Sequence, residues 1–87
     1  MLDDKWGKSE VITEETNRIL ETALSGLLGV KYKGVTVSKM INNEEYYGFL
    51  CNATRMGAEE GVFSAWVCVW QVPGKEPGII SIDSIHY

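Results

Sequence analysis

TEETNRILETALSGLL, residues 13–28, is the stretch of this chain that carries a helical period. Ile19, Leu20, Ala23, Leu24, Leu27 and Leu28 recur at i, i+1, i+4, i+5, i+8 and i+9. That spacing makes one apolar stripe at 3.6 residues per turn, so residues 13–28 are expected to form a helix. Thr13 suits the N-cap, and Glu14 and Glu15 fall in the first turn, where the helix dipole favours negative charge. Gly29 stands where a left-handed residue would end the helix. Leu24 lies mid-stripe, and Leu24→Ala is expected to cost about 2–5 kcal/mol if the stripe faces a core.

Beyond Gly29 the helical period is lost and strands are expected. Val30–Ile41 contains Val35 and Val37 alternating with Thr36 and Ser38, while Val30 and Tyr32 fall on the other parity. A parity switch at Gly34 predicts a bulge or bend there. Asn42-Asn43 tolerates positive φ and is expected to turn the chain into a second strand, Tyr46–Thr54. Met56–Gly61 reads as a loop, and Val62–Val72 as a third strand of β-branched and aromatic residues. Pro73-Gly74 and Pro77-Gly78 bracket a connection to a last strand, Ile79–Tyr87. The expected fold is α+β, one helix packed on a four-stranded antiparallel meander, with residues 1–12 as a tail or short strand.

The chain has 87 residues, 45% of them hydrophobic and 23% charged, which fits one folded domain spanning 1–87. Its net charge of −4 lacks the clustered Lys and Arg that nucleic acid requires. Residues Met1–Glu10 are charged from Asp3 onward and hold no apolar signal segment, and no run nears the ~18–20 apolar residues of a membrane span. A cytoplasmic location without a membrane partner is expected.

Catalytic parts are hard to assemble from these residues. His86, the one histidine, is penultimate, a poor place to hold a base beside a nucleophile. Cys51 and Cys68 lie inside apolar strands, where thiols behave as small hydrophobes. They are expected to stay reduced. Strand register decides whether they could meet: if paired residue numbers on the second and third strands sum to an even number, the two face opposite sides. The acidic pairs Asp3-Asp4, Glu14-Glu15, Glu44-Glu45 and Glu59-Glu60 are adjacent, and on strands adjacent side chains point apart. Asn52-Ala53-Thr54 matches a glycosylation sequon, but inside a strand and without a secretion signal it reads as chance. No metal-ligand spacing or phosphate-binding glycine loop occurs, so neither enzyme activity nor a cofactor is expected.

Both parities of the third strand are apolar. Phe63, Ala65, Val67 and Val69 occupy one, Trp66, Cys68 and Trp70 the other. A helix covers one face only, so either the sheet curls to bury the rest or an apolar outer patch is left for a partner or second copy.

The order helix, Gly34–Lys39, Tyr46-Tyr47, Val72-Pro73-Gly74 and terminal strand resembles the cystatins, in particular the stefin branch, over nearly the whole chain after Trp6. The resemblance lies in element order and spacing. It implies a non-catalytic scaffold on which two hairpins and an N-terminal glycine form a wedge that plugs papain-like cysteine proteases. By position, the wedge would comprise Gly7, the hairpin Lys39-Met40-Ile41-Asn42-Asn43, and Val72-Pro73-Gly74 within the longer connection Val72–Gly78. Ile41 keeps the family's apolar third residue, whereas Lys39 replaces a Gln and Asn43 a Gly. Lys75 and Glu76 add charge to the second hairpin. The implied activity is binding or inhibition of a protein partner. A structural protein that pairs with a second copy through its apolar sheet face is the alternative, and an enzyme or small-ligand binder the third.

Overall fold

The computed structural model describes residues 6–27, 29–55 and 61–85. In chain order it has β1 (Glu10–Val11), α1 (Glu14–Leu24), β2 (Val30–Met40), β3 (Asn43–Arg55), β4 (Gly61–Trp70) and β5 (Gly78–Ile85). The strands form one antiparallel sheet in the order β1-β2-β3-β4-β5, and α1 lies against β2 and β5 on one face. The α+β class is as expected, but the sheet has five strands, not four. The extra one is β1, pairing Glu10 with Val37 and Val11 with Thr36 on the open side of β2.

The helix starts where its cap predicts. Thr13 Oγ1 accepts the Thr16 N–H at 3.2 Å and Thr16 Oγ1 accepts the Thr13 N–H at 2.8 Å, a reciprocal box with Thr in place of the usual Glu. It ends earlier than expected. Ser25 donates its hydroxyl to the Thr22 carbonyl at 2.8 Å, diverting an acceptor the next turn would use, and Gly26 follows. Gly29 does take a left-handed φ of 88°, but at the entrance to β2. The buried centre of the stripe is therefore Leu20, 1% exposed, while Leu24 is half-buried and Leu27 is 44% exposed beyond the helix. Leu28, residues 56–60 of the expected loop, His86 and the end of the expected last strand lie outside the described residues.

The bulge expected at Gly34 is present. Gly34 pairs with Cys51 and Thr36 with Leu50, leaving Val35 as the extra residue. Tyr32 and Val37 thereby both reach the helix-facing core despite their parity. That core gathers Leu20, Val37, Phe49, Cys51, Val67 and Val69, flanked by Ile12, Ile19, Ala23, Leu24, Ile79 and Ile82. The first hairpin turns one residue earlier than expected, since Met40 pairs with Asn43 and the turn residues are Ile41 and Asn42. Asn42 has φ 61°, and Asn43 instead opens β3 by accepting the Glu45 N–H on Oδ1 at 3.2 Å.

Pairs between β3 and β4 all sum to an even number: Cys51 faces Ala65 and Cys68 faces Gly48. The cysteines therefore lie on opposite faces of the sheet, both free. Burial pushes the Cys51 thiol up to about 12. Unreduced protein should titrate two thiols after denaturation, with Cys51 unreactive toward alkylation at pH 8 while folded. Zero thiols, or rapid alkylation of native Cys51, would contradict this arrangement.

The outer face is covered in part. Trp66, 9% exposed, lies across Gly48, and Trp6, 8% exposed, comes back over it from the N-terminal segment. The large apolar side chains that are exposed among the described residues sit on separate elements: Val11, Leu27, Val35, Ile41, Val62 and Ile80.

Candidate binding surface at one end of the sheet

In a meander, alternate turns return to the same end, so the β2–β3 and β4–β5 connections leave the sheet side by side. The N-terminal segment reaches that end too. Trp6 bridges to Met40, and the Gly7 N–H donates to the Lys39 carbonyl at 2.8 Å. A Cβ at Gly7 would stand 3.2 Å from that oxygen, so a side chain there fits only if the two backbones ease apart by a few tenths of an ångström. Gly7, Lys39–Asn43 and the start of the β4–β5 connection, Val72-Pro73-Gly74, are thus at one end of the molecule.

Each piece is shaped locally. In the first hairpin, Ile41 is 49% exposed at the turn. Lys39 Nζ lies 5.9 Å over the Tyr47 ring, and Tyr47 stacks on Phe49 at 6.2 Å, so the lysine stem is held on the helix side of the hairpin. In the second connection, Pro73 and Gly74 occupy the central positions of a turn closed by Lys75 N–H to the Val72 carbonyl at 3.0 Å. Gly74 supplies the φ of 85° that a type II turn requires at its third residue. Gln71 staples it: its side-chain amide donates to the carbonyls of Val72 at 3.0 Å and Lys75 at 2.9 Å. Its backbone N–H donates to the Glu45 carbonyl at 2.8 Å, tying the second connection to the first hairpin.

Beside this end, between α1 and the sheet, lies an open groove of about 530 Å³ lined by Glu15, Arg18, Ile19, Glu45, Tyr47, Gln71 and Pro73. Glu15, Arg18 and Glu45 give the groove charge, and Ile19, Tyr47 and Pro73 give it apolar contact. A second groove of about 440 Å³ runs by β2 and is lined by Asn17, Glu21, Lys31, Tyr32, Lys33, Asn52 and Thr54. Among the described residues, no group of three His, Cys, Asp or Glu side chains could hold a metal ion, and no helix is long and apolar enough to cross a membrane.

Gln71, Glu45 and Tyr47 escaped the sequence reading of this surface. A Gln directly ahead of Val-Pro-Gly was a usable signal, since its amide can reach both carbonyls of the turn it precedes. The Glu45 contribution is a backbone carbonyl and leaves no mark on the residue type. Compared with family models, curated proteins and solved structures, the chain has no match.

Proposed function

We propose that this chain is a non-catalytic protein-binding domain on a cystatin-like scaffold, and that its contact surface is the sheet end formed by Gly7, Lys39–Asn43 and Val72–Gly74. The observation that carries this reading is the pair of backbone hydrogen bonds, Gly7 to Lys39 and Gln71 to Glu45, that fasten three separate chain segments into one surface. A surface fastened in advance loses little conformational freedom on docking, which is where much of the cost of association lies. Ile41 supplies an exposed apolar contact on the hairpin turn. The element order, strand, helix, then four sequential strands, supports the cystatin-like scaffold. No cofactor enters this reading, and its setting is cytoplasmic.

Pairing of two outer sheet faces is less well supported, because Trp6 and Trp66 shield each other there. Affinity capture from a cell lysate tests the choice. Wild type and Val62→Asp, which alters an exposed residue on another part of the sheet, are expected to retain the same protein, and Ile41→Asp is expected to lose it. Equal retention by all three would overturn the assignment of the surface.

A further inference from the structure

We infer that Trp6 is a positioning residue: by docking on Trp66, itself seated over Gly48, it locks the N-terminal segment beside the first hairpin. This rests on the binding end proposed above, because the lock's use is to hold Gly7 in that surface.

Among the described residues, few contacts hold the segment. β1 is two residues long, and before it come the Trp6–Met40 bridge, the Gly7–Lys39 hydrogen bond and the hydroxyls of Ser9 and Ser38, 3.4 Å apart. Register slips along it, since three residues (7–9) lie between Trp6 and Glu10 where β2 has only Ser38 and Lys39. A short, irregular edge segment of this kind frays unless a side chain anchors it. Trp6 is that anchor: it is 92% buried and meets the Trp66 ring edge to face, centroids 5.4 Å apart and planes at 70°.

The receiving half is built for an indole. A Cβ on Gly48 would come within 2.1 Å of Trp66 Cζ2, so only glycine at this point of β3 lets the ring lie flat on the sheet. Among the described residues, the buried Trp66 Nε1 has no hydrogen-bond partner. Packing on Gly48 and Trp6 holds the ring in place. The third strand's outward aromatics, which in sequence suggested a partner face, are in part committed to this internal anchor.

Amide hydrogen exchange on the free protein tests the lock without any partner. Relative to the wild type, Trp6→Ala should speed exchange of the Gly7 N–H by at least about tenfold, while amides across β3 and β4 keep their protection. Trp6→Phe should restore most of it. Gly48→Ala, which leaves the segment's own sequence untouched, should release the Gly7 amide as well by displacing Trp66. The near-ultraviolet dichroism of the Trp6–Trp66 pair should fall in Trp6→Ala and Gly48→Ala alike. Unchanged Gly7 protection in either variant overturns the inference, as does failure of Trp6→Phe to restore it. Loss in step with the β3 and β4 amides also overturns it, since Trp6 would then serve global stability alone. Failure of the capture experiment with an intact lock would instead count against the binding end.

Discussion

Leu20→Ala is expected to lower the unfolding free energy by about 2–5 kcal/mol, the range for truncating a fully buried leucine. Leu20 is 1% exposed at the centre of the helix–sheet contact. It sits so close over the β2 backbone that a Cβ on Gly34 would come within 3.0 Å of its Cδ2. Backbone lies beneath it, and the buried side chains clustered with it, Val37, Phe49, Cys51, Val67 and Val69, belong to paired strands, so the cavity left by truncation has little scope to collapse. Against the roughly 5–15 kcal/mol by which native domains are stable, that loss is a large fraction of the margin. Leu24→Ala should cost about half as much, because the half-buried Leu24 has part of its surface in water already. Denaturant melts decide this, read as a shift in midpoint at constant slope. A loss under about 1 kcal/mol for Leu20, or a larger one for Leu24, would contradict the packing described.

The displacement of the core centre from Leu24 to Leu20 shows what the residues disclosed. The stripe itself was legible, since periodicity is a local property. Its length was not, because two stop signals compete: Gly29 is the stronger by type, but Ser25 reaches the Thr22 carbonyl first. β2 to β5 were legible from β-branched and aromatic runs, and the bulge from a parity switch beside Gly34. β1 was legible only as one of two alternatives, a tail or a short strand over residues 1–12, because Glu10-Val11 is too short to alternate and is a strand only through its pairing with Val37 and Thr36. The turn at Ile41–Asn42 was misplaced by one residue because either asparagine tolerates the left-handed conformation. The Met40–Asn43 pairing made the choice.

The second large effect is expected at the first hairpin. If the scaffold works as a cystatin-like wedge, wild type should inhibit papain no better than micromolar, and Lys39→Gln should improve it by as much as about a thousandfold. An unpaired ammonium entering a narrow cleft costs several kcal/mol to desolvate, and each 1.4 kcal/mol is a decade in affinity. If Asn43 held the place of a turn glycine, Asn43→Gly would share in that gain. The structure moves the left-handed residue to Asn42 and gives Asn43 the task of accepting the Glu45 N–H. The gain should therefore come from Lys39→Gln, with Asn43→Gly neutral or adverse. A competitive assay reads both. A nanomolar inhibition constant for the wild type would refute the charge argument, and no gain from Lys39→Gln would count against the wedge.

The candidate surface was legible only through the spacing of its hairpins. That Gly7 lies beside Lys39 follows from no local pattern in the N-terminal segment. It depends on Trp6 meeting Trp66, a contact between residues far apart in the chain. A glycine in the middle of a strand, Gly48, was the overlooked sign that a large ring lies over the backbone.

The most direct measurement of the binding end is an amide-exchange footprint of the domain in complex with the protein it captures. Gly7, Lys39–Asn43 and the Val72–Gly74 turn are expected to gain protection together, while β5 and the far end of the sheet around Val62 stay as they are in the free protein. Protection confined to the β5 edge or the outer sheet face, with these three segments unchanged, would show that the partner docks elsewhere.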